Sequence, residues 1–333
     1  MLEKHRDLRL YFPVYAIFLG IYVIAGVIEP SFFTWRNNVN LFTRITPLIF
    51  AGMAQSLVLL GGGIDLSIGS VIGLTGVIAA SLPYGDSPWS IALWIFIPPL
   101  VGLSMGLING VIIAKGRLNP LVVTLATGTI WMGVALFIRP IPGGSIPPGV
   151  AEVVPGTIFG VVPTPLVIFL FAVAVCHIIV RRTGFGRSIY AIGGNELIAY
   201  ESGIPHVRVR MWVYGTSGLL GSCGGMFFSA WMCCGDPFIG EPYVLTSIAV
   251  AVIGGTALSG GRGGVIGIIG GAYIFHLISN ILNLLEVSTF YQFIANGLVL
   301  ILALALTSSG AVIDFRRMVV RLLGNVKPRE HGE

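Results

Sequence analysis

The chain has 333 residues, 55% of them hydrophobic and only 10% charged, with a mean hydropathy of +0.91 and a net charge of +5; a soluble domain carries about 25% charged residues. That balance excludes a soluble globular domain and describes a polytopic membrane protein, in which the positive charge reports topology. Basic patches interleaved with aromatic residues are absent, which argues against nucleic acid as a partner. The four cysteines, Cys176, Cys223, Cys233 and Cys234, lack metal-ligand spacing and read as packed small side chains.

Lys4, Arg6 and Arg9 precede the first apolar run without a small-residue cleavage pattern, so this run reads as a retained span. Apolar runs at 11–28, 42–60, 67–82, 90–114, 119–138, 164–180, 211–232, 244–259, 264–283 and 290–309 predict about ten transmembrane helices. With the N-terminus inside, sixteen of the 19 Lys and Arg are cytoplasmic and only Arg36, Arg44 and Arg139 fall outside. The asymmetry places both termini in the cytoplasm. The fold class expected is an all-α polytopic bundle: one transmembrane domain over 1–315 and a cytoplasmic tail over 316–333.

Between the second and third runs, Gly61-Gly62-Gly63-Ile64-Asp65-Leu66 leaves almost no room for an aqueous loop, so either a tight cytoplasmic turn or an intramembrane helix break fits. Asp65 is the sharpest isolated feature, because a carboxylate at the edge of a span is costly unless paired, capped or functional. Either Asp65 or Ser67 suits a cap for the third span, and both are candidates for a translocation pathway. The stretch from Gly62 to Gly69 is echoed by Gly254-Gly255-Thr256-Ala257-Leu258-Ser259-Gly260-Gly261, a weak sign of an internal repeat. Glycines at helical spacing, Gly69, Gly73 and Gly76, then Gly102, Gly106 and Gly110, then Gly263, Gly267, Gly270 and Gly271, predict faces where helices approach closely.

Asn119 and Pro120 open the fifth run as cap and first-turn residue, and Thr124 and Thr127 follow as pathway candidates or backbone-bonding hydroxyls. The Pro- and Gly-rich stretch 139–163 is too polar to span and predicts a periplasmic cap. The stretch 183–210 is the one long polar segment with both charge signs and helix-ending signals. Asn195 is an N-cap with Glu196 in the first turn, and Gly203, Ile204 and Pro205 form a stop. This predicts a two-turn helix over 196–202, hinged by Gly193 and Gly194 before it and by Gly203 after it.

Two motifs invite enzymatic readings. Leu258-Ser259-Gly260-Gly261-Arg262 resembles a nucleotide-binding signature, but no phosphate loop exists in the chain and a tight Gly-rich turn accounts for the residues. Gly215-Thr216-Ser217-Gly218, with His276 on a later span, matches the pattern of intramembrane serine proteases. An ion-coupled secondary transporter or facilitator is a further rival, with Asp65, His177 and His276 as its relay candidates.

Together, Gly62-Gly63-Ile64-Asp65-Leu66-Ser67-Ile68-Gly69-Ser70, Asn119-Pro120 with Val123-Thr124-Leu125, Arg182-Thr183 through Gly186-Arg187 and Tyr190 to Asn195, and Gly254-Gly255 through Gly263 resemble the transmembrane permease of bacterial ribose-type monosaccharide ABC importers. The resemblance implies a type II ABC importer-like bundle in the bacterial inner membrane. It implies three kinds of partner: cytoplasmic ATPase subunits that use ATP and magnesium, a periplasmic sugar-binding protein, and a second permease subunit. No catalytic site, metal or bound cofactor is expected in this chain. The resemblance also makes 182–210 the coupling segment, with Gly186, Arg187, Tyr190, Gly193, Gly194, Asn195, Glu196, Tyr200, Glu201 and Gly203 as its residues. Where the family usually carries Ala-Ala-Arg-Leu, this chain has Ile198-Ala199-Tyr200-Glu201.

Overall fold

A backbone in hydrocarbon has no water to bond, so it closes its hydrogen bonds within helices. The computed structural model describes residues 2–288, 290–292, 294, 295, 297, 298 and 301 and is built almost wholly of helix. In chain order come α1 (Leu2–Ile28), α2 (Trp35–Leu60), α3 (Ile68–Ala79), α4 (Pro88–Gly116), α5 (Pro120–Ile138), α6 (Pro148–Val153), α7 (Thr164–Arg182), α8 (Gly184–Gly194), α9 (Glu196–Glu201), α10 (His206–Met232), α11 (Tyr243–Ile253) and α12 (Gly267–Leu284). A small antiparallel hairpin, β1 (Thr157–Ile158) and β2 (Val162–Pro163), interrupts them.

Among the described residues, α1, α2, α4, α5, α7 and α12 are long and apolar enough to cross a membrane. The protein is an all-α, multi-pass membrane bundle, as its composition predicts. The centre is α10, whose glycines and serines lower its hydropathy because it is sheathed by α4, α2 and α3 instead of lipid. The most deeply buried long helix is α2, with every residue from Ile45 to Leu60 inside the protein.

Several boundaries differ from the periodicity reading for local reasons. Helix α2 starts at Trp35, ahead of the expected 42, because the Thr34 hydroxyl accepts from Asn37 N (3.4 Å) and the polar first turn bonds within itself and to α12 through Asn280. The third and eighth runs yield only short helices, α3 and α11; twelve residues rise about 18 Å against a hydrocarbon core of about 30 Å. Irregular backbone at 61–67, 233–242 and 254–266 flanks these two helices. Of the tenth run, 290–309, only the first positions are described, and they are helical; the tail 316–333 lies outside the described residues.

Two of the three predicted glycine faces pack helix on helix. An added Cβ on Gly102 would meet the Gly218 carbonyl (2.5 Å), one on Gly106 would overlap the Tyr214 carbonyl, and one on Gly110 would press on Met211 (2.7 Å), so α4 and α10 touch backbone to backbone. Gly270 and Gly271 likewise admit α1 and the Val250 carbonyl of α11. The α3 face behaves differently. Gly76 meets α10 at Gly225, but Gly69 and Gly73 face the carbonyls of Gly240 and Pro237, in a connection that is not helical. A stripe of small residues signals close approach without saying by what.

At the end of the bundle where α2 begins, segment 139–163 folds as a cap, as its composition predicts. Gly143 and Gly235 exchange backbone hydrogen bonds (3.0 and 2.8 Å), Ser145 N donates to Ala80 O (2.9 Å), and the Asp86 carboxylate accepts from Gly149 N (2.8 Å). The α4–α10 seam generates a stability prediction. Gly106→Ala is expected to cost about 1–3 kcal/mol through overpacking. Gly133→Ala, with nothing within 4 Å of its added Cβ, is expected to be neutral or stabilising by up to about 1 kcal/mol. Thermal unfolding of the two variants in detergent measures the difference, and equal midpoints would refute the seam.

Candidate functional site

Segment 183–210 folds as two capped helices with a single residue between them. The Thr183 hydroxyl accepts from Gly186 N (3.2 Å) and opens α8. Asn195 separates α8 from α9, its side-chain oxygen accepting from Leu197 N (3.0 Å) and Ile198 N (3.1 Å), as an N-cap should. Gly203 sits at φ +77°, with Gly203 N on Tyr200 O and Ile204 N on Ala199 O, the paired bonds of a Schellman stop. The cap, the stop and the short helix are therefore where the residue types predict. The hinge is not: Gly193 and Gly194 are the last residues of α8, inside regular helix.

Gly193 has a different role, set by what crosses it. An added Cβ would overlap the Leu60 carbonyl oxygen at the end of α2 and press on Gly261 N (2.7 Å), while Gly194 beside it has open space. Gly261 N also donates to Leu60 O (3.1 Å), and Gly260 approaches both the Gly193 carbonyl and Gly62. The end of α8 is thus wedged between the irregular segments that follow α2 and α11. Further along α8, Ile189 and Ile192 are buried, and Gly186 leaves no room for a Cβ against the Val180 carbonyl. Tyr190 donates to Gly263 O (2.8 Å), and the Arg181 guanidinium lies over its ring (5.4 Å) and reaches the same carbonyl (3.3 Å).

The two segments the wedge touches share one local geometry. After α2, Gly62 N bonds Leu59 O and Gly63 N bonds Val58 O, with Gly62 at φ +78°. After α11, Gly255 N bonds Val252 O and Thr256 N bonds Ala251 O, with Gly255 at φ +92°. Both are Schellman endings. The geometry therefore pairs Gly61-Gly62 with Gly254-Gly255, one residue off the register suggested by sequence similarity. Ser56 and Thr256 join the two across the bundle (2.8 Å).

Asp65 lies in the first of these segments and is 1% exposed. Its Oδ1 accepts from Ser67 N (2.9 Å) and Ser67 Oγ (2.6 Å), and its Oδ2 from Ser217 Oγ (2.9 Å) on α10. Ser67 in turn accepts from Asn109 Nδ2 (2.8 Å) on α4. Leu66 N donates to the Thr124 hydroxyl (3.0 Å) on α5, so one short segment is tied to three helices. The residue bonding the start of α3 is thus Asp65; Ser67 makes no side-chain cap because its hydroxyl is committed to the carboxylate. Asn119 caps α5 through Leu121 N (2.9 Å) at an exposed position, and Thr127 bonds back to Val123 O (3.0 Å). A carboxylate satisfied by three donors is stably buried, since the bonds offset the loss of hydration.

The structure does not pair Ser217 with His276. Ser217 donates to Asp65, and His276 lies against Arg44 in the opposite half of α2. The outward face of α9 carries Leu197, Ile198 and Tyr200, all more than half exposed, with Ala199 turned inward. Leu197 was absent from the expected site residues, although apolar residues in so short a polar-flanked helix were the signal. Glu196 pairs with Arg210 (2.9 Å) and Tyr200 meets the His206 ring edge-on (5.3 Å), holding α9 against α10. Arg187 and Glu201 are exposed.

Residues 37–304 match the family model described as the branched-chain amino acid transport system permease component. The chain is 38% identical to a ribose import permease protein of Haemophilus influenzae, over 84% of this chain and 87% of that one. It is 36% identical to a ribose import permease protein of Bacillus subtilis, over 87% and 91%, and 31% identical to a D-allose transport system permease protein of Escherichia coli, over 91% and 94%. No solved structure matches.

The carboxylate network predicts coupling between its members. Ser217→Ala removes one donor from a buried carboxylate and is expected to cost about 1–2 kcal/mol, given that hydrogen bonds between membrane helices average about 0.6 and reach about 1.7 kcal/mol. Asp65→Ala is expected to cost more, and the double variant less than the sum. A double-mutant cycle read by thermal unfolding in detergent tests this, and strict additivity would dissolve the network.

Proposed function

We infer how this chain works from one premise: it belongs to the permease-component family of the branched-chain amino acid transport system. It is a multi-pass inner-membrane permease subunit of an ATP-binding-cassette importer, and its cargo is a monosaccharide, the class named for its ribose, allose and arabinose relatives. Its role is transport. ATP and magnesium are handled by separate ATPase subunits at the end of the bundle that holds α8 and α9, which is the cytoplasmic end. A periplasmic sugar-binding protein delivers cargo at the capped end, and a second permease subunit completes the pathway.

The observation that carries the mechanism is the wedge at Gly193. In this reading the partner ATPase grips the apolar face of α9, Leu197, Ile198 and Tyr200, with Arg187 and Glu201 at its rim. Gly186, Tyr190, Gly193, Gly194, Asn195, Glu196 and Gly203 build and fasten the lever. Closure of the ATPases displaces α9, and α8 transmits the displacement as a rigid piece, because regular helix runs through Gly193 and Gly194. Its end bears on Leu60 and Gly261, so a single push reaches the ends of both α2 and α11. Both segments are irregular backbone, which can adopt a second arrangement more readily than packed helix, and a bistable element biased by a partner is what such a switch requires.

Asp65 and Ser67 lie in the first of these segments and Thr124 bonds it at Leu66 N, while Asn119 and Thr127 bond within α5. We place Asp65 and Ser67 as the anchor that keeps the start of α3 fixed to α4, α5 and α10 while the end of α2 moves, so that the change is felt along the pathway and not lost in slack.

The experiment is sugar uptake and transport-coupled ATPase activity in proteoliposomes holding the full complex. Leu197→Asp with Ile198→Asp is expected to lower uptake at least about tenfold by removing roughly 1.4 kcal/mol or more of docking energy, while the permease stays folded. Gly193→Ala is expected to keep the ATPase bound but abolish coupling. Unchanged uptake in both would end this reading, and uptake by the permease alone under an ion gradient would restore the secondary transporter.

A further inference from the structure

We propose that the hairpin at 157–163 is a membrane anchor: its tip lies in the headgroup and upper acyl region of the bilayer, and its occupant is lipid. The hairpin reads Thr157-Ile158-Phe159-Gly160-Val161-Val162-Pro163, with no ionisable side chain. Phe159 at its tip is 97% exposed, and Ile158, Val161 and Val162 beside it are exposed as well. An apolar turn in water is an unstable arrangement unless something covers it.

The turn geometry sharpens the point. Ile158 pairs with Val162, so Phe159, Gly160 and Val161 form the loop, and Val161 N bonds Ile158 O (3.2 Å). Phe159 and Gly160 both have positive φ (+52° and +71°), a region that Gly, Asn and Asp enter far more readily than a bulky residue. A phenylalanine there puts a large apolar side chain where backbone preference opposes it.

Depth decides the occupant. Pro163 runs directly into Thr164, the first residue of α7, and Thr164 N bonds Gly156 O (3.0 Å), so the hairpin is fixed to the end of a span. The exposed face of α7 carries Val167, Leu170 and Phe171 within its first turns, the side chains of a lipid-facing helix. The hairpin packs on the same end of α7 through β2. At the same end of the bundle, exposed Phe33 and Trp35 mark the start of α2, and Tyr84 and Trp89 (70% exposed) the α3–α4 connection. Exposed aromatic residues gathered at one end of a bundle are the belt that membrane proteins place at headgroup level.

Lipid fits better than a soluble partner, whose contact rim would call for polar and charged groups that the hairpin lacks. With no Lys or Arg, attraction to anionic headgroups plays no part, and apolar partitioning drives the contact. The proposal stands apart from the coupling mechanism at the other end of the molecule.

The test uses the full chain in vesicles of phosphatidylethanolamine and phosphatidylglycerol, with Cys176→Ala, Cys223→Ala, Cys233→Ser and Cys234→Ser removing the native thiols. A nitrobenzoxadiazole probe is placed on F159C, on V161C as a second position, and on E152C, an exposed charged position on α6, as the control. Iodide quenching is expected to be at least about fivefold weaker at 159 and 161 than at 152. Lipid carrying a nitroxide at acyl carbon 5 is expected to quench both hairpin positions. Iodide quenching equal to the control without quenching from lipid would overturn the proposal and mark the tip as a water-exposed docking site. Quenching only by nitroxide deep in the acyl chain would overturn it as well.

Discussion

Inside a bilayer a peptide group left without a partner costs several kcal/mol, and three stretches of irregular backbone flank the short helices α3 and α11, at 61–67, 233–242 and 254–266. Each draws hydrogen bonds or close backbone contacts from the rest of the bundle. The stretch after α2 draws its partners from Asp65, Thr124, Ser217 and the carbonyls of α2 itself. The stretch after α11 closes on Leu60 and on its own turn, where Ala257 N bonds Arg262 O and Gly260 N bonds Ala257 O. The stretch between α10 and α11 lies along the bare face of α3 at Gly69 and Gly73. That requirement also places α10, rich in glycine and serine, at the centre, where α2, α3 and α4 pack against it.

Glycine makes these placements possible, less through conformational freedom than through absence. At Gly193, Gly106 and Gly69 the missing Cβ lets a carbonyl from a distant segment of the same chain occupy the space. Such contacts are short and stiff, because they run backbone to backbone with no rotamer to yield. The stiffness matters where α8 meets Leu60 and Gly261, since a push delivered through flexible side chains would be absorbed before it reached α2.

Much of the bundle was legible from residue types alone. Local chemistry explains the successes: Asn119, Asn195 and Gly203 cap and stop helices through bonds to residues two or three positions away, and 139–163 is too rich in Pro and Gly to span. The failures share a cause, which is that sequence spacing is silent about the far partner. Gly193 looked like a hinge because glycine in a short polar segment usually is one, and only the Leu60 carbonyl beside it reveals packing. The α3 stripe looked like a helix-packing face, and the turn at Gly240 that fills it at Gly69 comes from a segment far later in the chain. The echo between the two glycine segments slipped by one residue, because composition matches Gly62-Gly63 with Gly254-Gly255 while the helix endings align Gly61-Gly62 with them.

Magnitudes set a limit on what α9 can transmit. Moving a two-state equilibrium from one part in a hundred to its reverse takes about 5.5 kcal/mol of differential binding. About three-fifths of each of Leu197, Ile198 and Tyr200 is still exposed, so burying them against a partner is worth roughly 1–2 kcal/mol each, and the three together approach that requirement without exceeding it. The exposed Glu196–Arg210 pair adds little by comparison, since surface ion pairs contribute about 0–1 kcal/mol, and its use is to keep α9 in register with α10. The apolar triad is therefore the part of the lever that must differ in contact between the two states. A polar coupling helix of the same length would need bidentate charge pairs to do as much. In the proposed reading, the Ile198-Ala199-Tyr200-Glu201 sequence calls for a partner whose docking cleft is apolar.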